Sequence, residues 1–126
     1  MTQQEKDILI KDLSARLLYG VKVNNEIQGD FTLIGLTKER VFTTCEIEGR
    51  HNDFPIELIK PYLFPLSSMT EEQKKEYAHI LVMNSNLAYS QLSGMTTEDW
   101  FNKNHFDYRG LIPKGLAIDA TSLNIY

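Results

Sequence analysis

The hydrophobic period of the chain changes at Gly20, from the spacing of a helix to that of a strand, so neither an all-α nor an all-β fold suits the whole sequence. Before Gly20, Thr2-Gln3-Gln4-Glu5 has the form of a capping box, in which a hydroxyl and a carboxylate satisfy the orphan N–H groups of a helix start. Ile8, Leu9, Leu13 and Leu17 then recur at helical spacing, with Lys6, Lys11, Asp12 and Arg16 assigned to the rest of the wheel. The pattern predicts a helix over 3–18 with Gly20 as its terminating residue. After Gly20, Val21 and Val23 alternate with Lys22 and Asn24, and Gly29-Asp30 signals a turn. Further alternating runs follow over Phe31–Gly35, Val41–Glu46 and Arg50–Phe54, separated by turns at Lys38-Glu39-Arg40 and Glu48-Gly49. Short strands joined by tight turns predict an antiparallel meander or a small SH3-like barrel covered by a helix.

Proline punctuates the centre. Pro55 and Pro61 bracket a segment that permits one helical turn. Tyr62, Leu63, Phe64 and Leu66 surround Pro65, and an exposed run of that kind would be a liability. It is read as an extended connector lying on the sheet. A second capping box, Thr70-Glu71-Glu72-Gln73, opens a helix predicted over 71–92, with Tyr77, Ile80, Leu81, Asn84, Leu87, Ala88 and Leu92 inward and Ser93-Gly94 as its stop. Thr96-Thr97-Glu98-Asp99 starts a third helix carrying Trp100 and Phe101 and ending near His105. Gly110, Pro113 and Gly115 predict an ordered loop beyond it, and Ile118–Tyr126 a short strand or tail. The expectation is one α+β domain over 1–126: a β-rich part over about 20–66, a helical part over about 70–105 and a loop-rich C-terminus over 106–126.

Composition narrows the function classes. With 42% apolar and 24% charged residues in 126, the chain resembles an average globular protein. The net charge of −4 divides evenly: residues 1–66 hold 8 basic and 10 acidic side chains, and residues 67–126 hold 5 and 7. An acidic balance without a segregated basic tail disfavours nucleic acid and anionic lipid as partners. No apolar run approaches the ~20 residues of a membrane span, and the polar N-terminus is unlike a signal peptide, so a cytoplasmic setting is expected. The single Cys45, in an alternating run, is read as a small buried side chain.

Catalytic signatures are missing from the sequence. No glycine loop for phosphates, no nucleophile elbow and no paired metal motif occurs. His51, His79 and His105 stand apart, and Glu76/His79 is one Glu-x-x-His pair where a di-iron bundle needs two. The acidic pairs Glu71-Glu72 and Glu98-Asp99 lie in first helical turns, where the macrodipole accounts for them. Neither cofactor nor metal is expected. The densest polar–aromatic cluster is Trp100, Phe101, His105, Phe106, Asp107, Tyr108 and Arg109. Rings beside a guanidinium suit a recognition surface, so Trp100, His105, Asp107, Tyr108 and Arg109 are the candidate binding residues. The competing reading is that the aromatics anchor the C-terminus to the core while Asp107 pairs locally with Arg109.

The segments EKDILIKDLSARLLYGVKV, FPIELIKPYLFPLSSMTEEQKKEY and WFNKNHFDYRGLIPKGLAIDA resemble an uncharacterised family of small proteins encoded by phages and prophages of gut bacteria. The resemblance covers nearly the whole chain. It implies a genomic setting, and no reaction or functional residue. A non-enzymatic protein-interaction module is the expected function, with an unidentified protein as partner. The alternatives are a small-ligand binder that sequesters a nucleotide signal and counters host defence, and a nucleic-acid-binding small barrel. A homo-oligomer is left open.

Overall fold

The computed structural model describes residues 1–44, 51–85 and 95–126. Cys45, the Glu48-Gly49 turn, and Leu87, Ala88, Leu92 and the Ser93-Gly94 stop lie outside the described residues. Helix α1 spans Gln3–Arg16, with the expected reciprocal capping box between Thr2 and Glu5. A 3-10 turn, Leu17–Tyr19, follows, and Gly20 ends it at φ 67°, a left-handed conformation that favours glycine. Strands β1 (Lys22–Asn25), β2 (Gly29–Leu36), β3 (Arg40–Thr44) and β4 (His51–Pro55) form the expected antiparallel meander. The register of β2 on β3 shifts between Leu33 and Gly35.

The segment after Ile56–Leu58, where the expected helical turn takes 3-10 form, corrects the sequence reading. Residues Ile59–Pro65 are a strand, β5, inside the sheet rather than a connector laid upon it. β5 runs antiparallel to β1, pairing Val23 with Pro61 and Asn25 with Ile59. It also takes two parallel partners, β6 (Phe106–Asp107) and β7 (Ile118–Asp119), which make the sheet of seven strands mixed. The order is β4-β3-β2-β1-β5-β6, with β7 also on β5.

Proline is tolerated in β5 for a geometric reason. Lys22 N–H and Tyr62 C=O face each other across the ladder and both bond the Tyr126 hydroxyl, at 2.8 and 2.9 Å. The intervening Val23–Pro61 pair is therefore a non-hydrogen-bonded one, and the missing N–H of Pro61 removes no bond to β1.

Helices α2 (Glu71–Ser85) and α3 (Thr97–Lys103) complete the described elements. Each opens on its expected reciprocal cap, Thr70 with Gln73 and Thr96 with Asp99. On α2, Tyr77 and Ile80 pack inward as expected, but Leu81 is exposed. Asn84 turns its amide to the carbonyls of Ile80 and Met95, which ties α2 to the approach of α3.

Two apolar clusters hold these pieces. The first lies between α1 and the sheet and contains Leu9, Leu13, Val21, Val23, Leu33, Val41, Ile56, Ile59, Leu63 and Leu111. The second gathers Trp100, Phe101 and Phe106 with Phe64, Met69, Tyr77 and Tyr108. β5 serves both, because Leu63 enters the first and Phe64 the second, as the alternation of a strand requires.

Candidate functional site

The stripe that α1 buries is Leu9, Asp12, Leu13 and Arg16, a spacing of i, i+3, i+4 and i+7 that includes two charged residues. Both are completely inaccessible. Arg16 donates from Nε to Asp12 Oδ2 at 2.9 Å and from Nη2 to Oδ1 at 3.1 Å, a two-point pair along one helix face. Nη2 also reaches the carbonyl of Phe106 at 2.5 Å, fastening β6 to α1. Burying an ion pair is costly unless its remaining polar atoms are also met, and here Arg109 Nη1 completes the carboxylate with a third bond at 2.9 Å. Asp12 therefore joins two guanidiniums that lie 93 positions apart in the chain. The helical spacing alone assigns Asp12 and Arg16 to the rest of the wheel, apart from the apolar stripe, because hydropathy separates charge from the core.

The five residues singled out from sequence are brought to one region but divide by role. Trp100 is 4% exposed and stacks on Phe106 with centroids 5.6 Å apart, so its ring is spent on the second cluster. Asp107 is buried, and its two carboxylate oxygens accept the N–H groups of Leu111 and Ile112, each at 2.9 Å. The expected local pair of Asp107 with Arg109 does not form. The carboxylate instead caps the turn, because the two backbone N–H groups there need a partner in the interior. Arg109 crosses to Asp12.

His105 sits at φ 62°, the left-handed position that follows α3. A histidine there is strained relative to glycine, and its contacts explain its presence. Its carbonyl accepts the Phe64 N–H at 2.8 Å, and its ring lies flat on Tyr126, with centroids 3.8 Å apart and an interplanar angle of 9°. Burial, aided by the charge of Arg16, pushes the imidazole down to about 4, so it is neutral at pH 7. Its Nδ1 is buried without a partner among the described residues. The Tyr126 hydroxyl, bridging β1 and β5, is pushed up to about 12, chiefly by burial. Although the residue as a whole is 40% exposed, its phenol end is the enclosed part.

Tyr108 and Arg109 form the outer layer. The Tyr108 ring stacks on Phe101 at 5.2 Å and lies under Arg109 Cζ at 4.4 Å, with Arg16 Cζ at 5.5 Å. Arg109 is thus held along one edge by Asp12 and over the face of Tyr108. Its side chain is 18% exposed, and Nε and Nη2, which make no bond among the described residues, reach solvent. Such a guanidinium is set in advance to receive a planar anionic group by two parallel bonds. The buried Arg16 Nη1 and Tyr108 hydroxyl have no hydrogen-bond partner among the described residues.

Elsewhere, Glu76 and His79 line an open depression of about 270 Å³ with Trp100, Lys103 and Asn104. Among the described residues, no group of three or more His, Cys, Asp or Glu could hold a metal ion, and no helix is long and apolar enough to cross a membrane. No family model, curated protein or solved structure matches the chain.

Proposed function

We propose that the chain is a non-enzymatic protein-interaction module, a phage or prophage accessory protein acting in the cytoplasm, that docks a protein through the face around Arg109. The observation that carries this reading is the immobilised guanidinium. Arg109 has lost its side-chain freedom to Asp12 and Tyr108 before any partner arrives, while one N–H edge faces water. Preorganisation of that kind lowers the entropy cost of binding, and arginine held by an aromatic is typical of residues that dominate interfaces. The group received is a carboxylate of the partner. Asp12 and Tyr108 act as positioning residues, and Trp100, His105 and Asp107 hold the loop that presents Arg109.

A second reading, sequestration of a small anionic ligand such as a nucleotide signal, draws on the buried Arg16 Nη1 and Tyr108 hydroxyl beside Arg109. The nucleic-acid reading draws little, because the outward positions of β1, β2 and β5 mix Lys22 and Lys60 with Asp30.

The test is affinity capture from phage-infected host cells with the wild type and Arg109→Lys. Lysine keeps a charge beside Asp12 but loses the planar fork. Loss of one saturable protein partner, with the melting temperature within about 5 °C of wild type, is the expected result. Equal capture by both proteins would refute the docking role, and a small molecule released on heating the wild type would shift the assignment to the second reading.

A further inference from the structure

Among the described residues, the non-glycine positions at positive φ are His105, at 62°, and Asn124, at 52°. Such conformations are uncommon outside glycine and concentrate where a segment is clamped or switched. Here they stand on the two sides of one contact. Asn124 bends the chain two residues before Tyr126, whose ring lies flat on that of His105 with centroids 3.8 Å apart. Phe64 of β5 flanks the same phenol ring at 5.8 Å.

The stretch that leads into this contact is otherwise loosely attached. Strand β7 fixes it to β5 as far as Ala120, whose N–H donates to the Leu63 carbonyl at 2.9 Å. Asp119 then turns the chain by accepting the Thr121 N–H, and the Leu123 N–H closes a second turn on the Ala120 carbonyl. Residues 121–124 are all exposed. Beyond Ala120, the hydrogen bonds from this stretch to other elements, among the described residues, pass through the Tyr126 hydroxyl to Lys22 N–H and Tyr62 C=O. One side chain thus holds the stretch down, and it does so by covering one face of the His105 ring.

A proton on His105 would find no counter-charge there. Arg16 of α1 acts on both rings, and Asp12, already divided between Arg16 and Arg109, acts on Tyr126. From β6, Asp107 spends both carboxylate oxygens on the N–H groups of Leu111 and Ile112. The hydroxyls of Tyr62 and Tyr126, both pushed up to about 12 chiefly by burial, stay neutral. Stacking on a phenol does not offset the nearby guanidinium, because Arg16 is completely inaccessible and cannot withdraw. Burial holds the covered imidazole at about 4, and a ring returned to its ordinary 6.5 takes up the proton that the covered ring refuses. Acid therefore favours uncovering, by about thirtyfold in the opening constant between about pH 7.5 and about pH 5.

We infer that Thr121–Tyr126 is an acid-released latch: when His105 takes up a proton, Tyr126 leaves its seat and the stretch swings out about the Asp119–Thr121 turn. The open form bares Lys22 N–H, Tyr62 C=O and one side of Phe64 between β1 and β5. It uses no free edge of Arg109, so it stands or falls apart from the docking role.

Hydrogen exchange of the full chain tests this, with each amide rate set against that of an unstructured chain at the same pH. Lys22 reports the latch, and Leu33, whose N–H is held by the Val21 carbonyl, reports the core. Lys22 protection should fall about thirtyfold from about pH 7.5 to about pH 5 while staying below that of Leu33. It should also be insensitive to dilute urea, since opening the latch exposes little surface. His105→Asn keeps a residue suited to the left-handed backbone and should cut the fall to about threefold or less. Tyr126→Phe keeps the stack but loses the bridge, so its Lys22 protection starts lower and falls by the same factor. Lys22 protection that does not change with pH overturns the inference, as does a full fall that persists in His105→Asn. Equal urea dependence at Lys22 and Leu33 also overturns it, because Lys22 then opens only with the whole protein.

Discussion

Replacing Asp12 by asparagine tests the centre of this structure most directly. The change preserves shape and one acceptor but removes the charge that three guanidinium N–H groups share at 2.9, 3.1 and 2.9 Å. Arg16 is completely inaccessible and cannot swing to water, so its charge would stay buried with the Phe106 carbonyl and an amide oxygen. Breaking a buried pair from one side costs about 3–5 kcal/mol, and the retained acceptor points to the lower end, about 3 kcal/mol. A chain of 126 residues has about 6–19 kcal/mol in total, so the loss is severe. It corresponds to a fall of about 10–15 °C in melting temperature. Urea unfolding followed by Trp100 fluorescence and by far-ultraviolet dichroism would read the second cluster and the backbone. Asp7→Asn, an exposed change on the same helix, should stay within about 0.5 kcal/mol. The pair Asp12→Leu with Arg16→Met should recover part of the loss, because it removes the fully buried guanidinium, while Arg109, 18% exposed, turns to solvent and the Phe106 carbonyl loses its donor. If Asp12→Asn alone lay within about 1 kcal/mol of wild type, the buried network would not be what joins α1 to the C-terminal segment.

Two further outcomes follow from His105 and Tyr126. With its folded value near 4 against an ordinary 6.5, His105 is held neutral by the fold. Its contribution is complete above pH 6.5, falls as the unfolded chain takes up the proton first, and levels off below pH 4. His105→Asn keeps a residue that tolerates the left-handed backbone but cannot titrate, so the stability lost between pH 7 and 4.5 should shrink by about 2 kcal/mol. Identical pH dependence in urea melts of the two proteins would refute this. Tyr126→Phe removes the bridge between Lys22 N–H and Tyr62 C=O, at about 1–2 kcal/mol. Hydrogen exchange at the Lys22 amide should then quicken about tenfold, and unchanged protection there would show that the phenol is dispensable.

Much of the fold was legible because its signals are local. Capping boxes at Thr2, Thr70 and Thr96 marked three helix starts, and period-two runs marked the meander, since both depend on residues within a few positions of each other. β5 was misread because its continuous apolar run and two prolines resemble a connector, and only its three partners, distant in sequence, make it a strand. The site was half legible. Aromatic density pointed to 100–109, yet the partner of Arg109 was sought at Asp107, two residues away, when it lay at Asp12. The available clue was that Asp12 and Arg16 stand four apart within the Leu9/Leu13 stripe, where a matched charge pair can be buried together.

The placement of β5 has a consequence for how the chain reaches this structure. Its neighbours come from residues 22–25, 106–107 and 118–119, so this strand cannot acquire its full set of partners until more than fifty residues beyond it have been made. Loop closure over such separations is slow, and folding rate falls as contacts become more distant in sequence. During translation the meander and α1 precede the rings of Phe106 and Tyr126 that pack on Phe64 of β5. The nascent chain therefore carries an unfinished strand edge, and the arrival of β6 and β7 is the step that closes it.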